Sequence, residues 1–209
     1  DTIDTDTLNM VDCLTHTFNA PGYPFQEKWL KREEGLLGGH ARLEEDNQLA
    51  DSLKTHPDCS LRIQRLTPLL RSYTQTIPAG RGADTLLFQK LKSCFPYEII
   101  EYTAGADNYS RSLYHTLELL QKNPSDPYLV AQVGKLLNKM FTAYKSHTLS
   151  RFVDLPSPDY PSHYNLLLQF IQNLYSENIA SLSYHFLKRY HTRLGDYEPF
   201  KTEYKTSIQ

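Results

Sequence analysis

Apolar residues along most of the chain recur at helical spacing. After Asp126 the set Leu129, Val133, Leu136, Leu137, Met140, Phe141 and Tyr144 follows the i, i+4, i+7, i+8 rule and makes one broad stripe on a helix. A strand cannot bring those residues to one face, because its side chains alternate. Tyr109, Leu113, Leu117 and Leu120 repeat the pattern, as do Leu166, Leu167, Phe170, Ile171 and Leu174. Alternating runs of β-branched residues are missing, so the pattern predicts an all-α protein.

Punctuation between these stripes is local and chemically specific. Asn123-Pro124-Ser125-Asp126-Pro127 predicts the end of one helix and the start of the next, with Asp126 as N-cap and Pro127 in the first helical position. The expected neighbours are antiparallel helices over 109–123 and 127–145. Pro156, Pro158 and Pro161, interleaved with Ser157, Asp159 and Ser162, predict a longer connection before a helix near Tyr164. Ile77-Pro78-Ala79-Gly80-Arg81-Gly82 reads as a flexible boundary, dividing an N-terminal segment over 1–76 from a helical domain over 83–209.

The helical domain is similar to a tetratricopeptide array, in which small residues let paired antiparallel helices approach closely. Gly134 falls at the small position, with Val130, Val133 and Leu137 around it. Pro96 and Ser112 depart from that pattern, where a large apolar residue and an alanine are usual. Were the pairing of this kind, Gln132, Lys135, Asn138 and Lys139 would line the concave face and grip a peptide backbone or carboxylate.

Composition narrows the partners. With 40% hydrophobic residues in 209 there is enough apolar material for a core. Twenty-two Lys plus Arg against 24 Asp plus Glu leave a formal charge of −2 and no basic run, which argues against nucleic acid as a partner. No apolar stretch approaches the ~20 residues that span a bilayer. Cys13, Cys59 and Cys94 are odd in number and far apart, so neither a disulfide framework nor a cysteine metal site is indicated. The chain begins at Asp1 without a basic and apolar leader, as expected of a processed protein or an excised piece.

Candidate chemistry is sparse. His40 and Glu44 share a helix face without a third ligand, His185 and His191 are six apart and point to different sides, and Glu33-Glu34 and Glu44-Glu45-Asp46 read as solvated helix surface. No nucleophile elbow, phosphate loop or dinucleotide fingerprint occurs, so no catalytic residue is assigned.

Two places carry a family resemblance. Thr55-His56-Pro57 with Arg62-Ile63 and Leu66, and upstream Tyr23-Pro24-Phe25-Gln26-Glu27-Lys28-Trp29-Leu30, resemble segments that follow the catalytic core in the zinc metallopeptidases that include the CAAX prenyl endopeptidases and the periplasmic quality-control proteases. The family's His-Glu-x-x-His pair and downstream glutamate are not present in residues 1–209. The resemblance therefore implies a region beyond the catalytic elements, inactive alone, with zinc as cofactor only of the parent enzyme. It implies as partners a polypeptide substrate or another protein, together with the parent's own catalytic domain, in a periplasmic or cell-envelope setting. His56 would then be a capping ligand at the open zinc position in the intact enzyme, against a plain role in a turn. The alternative is a free-standing helical adaptor in which Thr-His-Pro is incidental.

Overall fold

A computed structural model describes residues 9–31, 63–69 and 85–208. Contacts divide the chain into two units, residues 1–33 with 93–209, and residues 34–92. In the second unit, 63–69 are helical and expose Ile63 and Leu66.

The larger unit is built from helices, with no strand among the described residues. They are α1 (Met10–Phe18), α2 (Thr85–Gly105, which starts in the smaller unit), α3 (Tyr109–Lys122), α4 (Pro127–Lys145), α5 (Ser162–Gln172), α6 (Ser176–Leu194) and α7 (Glu198–Ile208). Short 3-10 turns occupy Glu27–Leu30 and Leu149–Arg151.

The predicted turn forms as its chemistry dictates. Asp126 Oδ1 accepts from the backbone N–H groups of Tyr128 at 2.9 Å and Leu129 at 3.4 Å, and Pro127 occupies the first turn, where its missing N–H costs nothing. Asn108 caps α3 in the same way, accepting from Arg111 N at 3.0 Å.

Helix α4 is the centre of the unit and packs against α3, α6 and α7. Leu129, Val130, Val133, Leu136 and Leu137 are at most 1% exposed, which is the predicted stripe and more. Gly134 sits where α4 meets α6: a Cβ there would stand 2.6 Å from one methyl of Leu187 and 2.8 Å from the other. The small residue thus serves a close approach to α6, which belongs to a different part of the sequence from the α3 neighbour.

The N-terminal residues complete the same core. Phe18 of α1 stacks on Phe170 of α5 at 5.5 Å, and α1 packs against α3, α5 and α6. Trp29, 1% exposed, meets Phe25 and Phe170 edge-on. Asn173 Nδ2 donates to the carbonyls of Trp29 and Lys31, and Gln169 Nε2 donates to that of Leu30, so α5 straps the segment down through its backbone. No described helix is long and apolar enough to cross a membrane.

Candidate functional site

A groove of about 440 Å³ runs between α4, α7 and the start of α3. Its size falls within the range of ligand clefts. Ala143 is among its lining residues, and so is the pair Tyr109 and Phe152, stacked at 4.7 Å with planes 4° apart. Tyr109 N donates to the Phe152 carbonyl at 2.8 Å, which fixes that pair across the loop. Lys135 and Lys139 stand one helical turn apart on α4, both half-buried, and Glu203 and Thr206 face them from α7.

The electrostatics follow from these neighbours. Lys139 Nζ is 5.0 Å from the Tyr109 ring centroid, where the ring's negative face attracts it. Burial, and then the charge of Asp107, push the Tyr109 phenol up, so it stays protonated at neutral pH. Two ammonium groups against the one Glu203 carboxylate give the groove a positive balance. Thr142, Ser146 and Thr148 add hydroxyls, but each donates to a carbonyl of α4 and none faces a histidine or carboxylate that could activate it. The groove presents two ammonium groups and an aromatic wall, and among the described residues that line it no serine or threonine hydroxyl is hydrogen-bonded to a histidine or carboxylate.

Of the four residues proposed from the sequence, Lys135, Asn138 and Lys139 line this groove. Asn138 is already engaged: Nδ2 donates to the Glu203 carbonyl at 3.0 Å and to its carboxylate at 2.9 Å, while Oδ1 accepts from Ser183 at 2.7 Å. It ties α4 to α6 and α7. Gln132 is 3% exposed and does not line the groove, and its buried Nε2 has no hydrogen-bond partner. His56 lies outside the described residues, as do His40, Glu44 and the Thr-His-Pro turn. Tyr109, Phe152, Glu203 and Thr206 escaped the sequence reading because each comes from an element far along the chain, and no local spacing announces them.

A second polar cluster is structural in character. Asp154 accepts from Arg111 Nε at 2.9 Å, Tyr164 OH at 2.8 Å and Asn108 Nδ2 at 3.1 Å. Burial alone raises a carboxyl pKa, but here the hydrogen bonds from Arg111 and Tyr164 and the guanidinium charge outweigh it and hold Asp154 below the usual range. Every oxygen is taken, so this carboxylate fastens the loop after Leu149–Arg151 to α3 and α5. His185 stacks on Tyr23 at 5.2 Å, and burial followed by the nearby Lys188 lowers its pKa.

Among the described residues no group of three or more His, Cys, Asp or Glu side chains is placed to hold a metal ion. The zinc that the resemblance implies for a parent enzyme has no such ligand set among the described residues. No protein-family model, no curated protein and no solved structure matches the chain.

Proposed function

We propose that the chain is a non-catalytic polypeptide-binding region of a zinc-dependent peptidase, with tetratricopeptide-like helix pairing, and that an extended segment of substrate or partner lies in the groove along α4. The observation that carries this reading is the pair Lys135 and Lys139, half-buried beside an aromatic wall in a groove where no serine or threonine hydroxyl is hydrogen-bonded to a histidine or carboxylate among the described residues. Fixed cations on a packed helix hold a peptide carboxylate or carbonyl at small ordering cost. The peptidase part of the reading is supported by Thr55-His56-Pro57, Arg62-Ile63 and the Tyr23 to Leu30 segment.

A free-standing adaptor is the second reading. It is favoured by the groove's construction wholly from residues between Tyr109 and Thr206, which needs no catalytic part. The coding sequence upstream of Asp1 separates the two: a His-Glu-x-x-His within a couple of hundred residues supports the peptidase, and its absence the adaptor.

Binding itself is tested by titrating the isotope-labelled chain with short unstructured peptides of acidic, neutral and basic composition. Shifts confined to Tyr109, Lys135, Lys139, Phe152 and Thr206 are expected with the acidic set. Shifts elsewhere, or none with any set at millimolar peptide, contradict the groove as the site.

A further inference from the structure

The residues that α4 gives to the groove recur at the interval of one helical turn. Lys135, Lys139 and Ala143 are four residues apart, so each step advances about 6 Å along the helix. An extended peptide sends successive side chains to opposite faces, and those on one face recur every two residues, about 6.7 Å. The two repeats agree to within about 1 Å per step. Side chains one or three residues apart in an extended segment point to opposite faces and cannot both reach the lysines. A segment laid along α4 is therefore sampled at every second residue.

The three steps differ in chemistry. Lys139 Nζ is held over the Tyr109 ring at 5.0 Å, Lys135 stands half-buried one turn before it, and neither is in an ion pair with a described residue. Glu203, which faces them from α7, is bound instead by Asn138 Nδ2 at 2.9 Å, and Ser183 Oγ fixes that amide by donating to its Oδ1 at 2.7 Å. Both ammonium groups are thus left for a ligand. Past Lys139, α4 lines the groove with Thr142, Ala143 and Ser146, none of them charged, and Ala143 is 5% exposed. A charged ligand group set against Ala143 would lose water without gaining a partner.

Taking the groove as the polypeptide site, on which this step rests, we propose that it selects extended segments of the pattern acidic-x-acidic-x-uncharged. The outer acidic side chain meets Lys135, the inner one meets Lys139, and the uncharged one lies against Ala143. Spacing, and not acidity alone, is then what distinguishes a ligand. Two acidic side chains on one face each gain a cation, whereas a pair in any other spacing engages one lysine at a time.

Fluorescence anisotropy with the wild-type chain tests this, using short unstructured peptides of one composition, with two glutamates among uncharged residues, that differ only in the glutamate spacing. Glu-x-Glu is expected to bind roughly three- to fivefold tighter than Glu-Glu, Glu-x-x-Glu or Glu-x-x-x-Glu, the difference that one exposed charge pair makes. The advantage is expected to shrink as salt rises. Lys139→Glu, its helicity checked by circular dichroism, is expected to weaken Glu-x-Glu and to prefer the peptide whose inner glutamate is replaced by lysine over the one whose outer glutamate is. Should that variant fail to fold, Lys139→Gln takes its place and is expected to erase the spacing preference. Equal affinity at every spacing, or tightest binding at another spacing, overturns the selection while leaving the groove as an acidic-peptide site. No binding by any of the peptides overturns both, and equal preference for the two lysine-bearing peptides overturns the assignment of the inner position to Lys139.

Discussion

Helices α4 and α2 are close in length, 19 and 21 residues, and both are rich in apolar side chains, yet they stand in opposite situations. Helix α4 is covered by α3, α6 and α7 and buries residues on nearly every side, including Ala131, Gly134 and Ala143. Within the larger unit, helix α2 buries Ile100 and Ala104 and leaves the bulky Phe95 and Tyr102 largely exposed. The difference lies in residue size as much as in hydrophobicity. Small side chains on α4 admit neighbours at short range, whereas Phe95 and Tyr102 on α2 stay largely exposed.

Alanine truncation separates the two helices most sharply. Leu136→Ala, at a fully buried site on α4, is expected to cost about 2–5 kcal/mol, while Phe95→Ala stays within about 0.5 kcal/mol when measured at dilute protein. Chemical denaturation of both variants checks this. A comparable loss at Phe95 breaks the contrast, since it means that the exposed side of α2 also supports the fold.

How far this arrangement is legible in the sequence depends on the range of the contacts. The helices over 109–122 and 127–145 and the cap at Asp126 are written locally, in periodicity and in the Pro-Ser-Asp-Pro turn. The role of Gly134 as a small site is also visible, but not that Leu187 is what fills the space beside it. The helix near Tyr164 is likewise legible, from the stripe Leu166, Leu167, Phe170 and Ile171. In the folded chain α6 packs chiefly on α4 and α7, and α1 lies against both α5 and α6. That placement depends on Phe18, Trp29 and Phe170 meeting across some 150 residues, which periodicity cannot express. The groove was half legible for the same reason. Lys135 and Lys139 share one helix face, whereas Tyr109, Phe152 and Glu203 arrive from elsewhere.

Gly134→Leu sharpens the account of α4. Its Cβ meets the Leu187 methyls, so overpacking of about 1–3 kcal/mol is expected, read as a lower melting temperature. An unchanged melting temperature places α6 farther from α4 than described.

Acid tests the loop beside α3. The folded-state pKa of Asp154 lies below its unfolded value, so its contribution to stability is present above the unfolded pKa, near 3.9, and is lost as pH falls through the lower folded value. Asp154→Asn removes the charge and is expected to cost about 1–2 kcal/mol at neutral pH, with the gap from wild type closing in acid. Equal acid sensitivity in wild type and variant contradicts the linkage.

The smallest effect concerns Gln132, whose buried Nε2 lacks a partner. Gln132→Leu removes a buried polar group at similar volume and is expected to stabilise by up to about 1 kcal/mol. A clear loss of stability shows that the amide is engaged.

The central claim, that the groove along α4 holds a polypeptide through its two lysines, is tested most directly by charge reversal with stability followed in parallel. The affinity of the Lys135→Glu/Lys139→Glu variant for an acidic unstructured peptide is measured by fluorescence anisotropy beside wild type. The account predicts at least roughly tenfold weaker binding with the fold retained and the melting temperature lowered by only a few degrees, the cost of losing the Lys139 contact with the Tyr109 ring and of setting carboxylates beside Glu203. Equal affinity for the peptide in the reversed variant, with its fold intact, contradicts it.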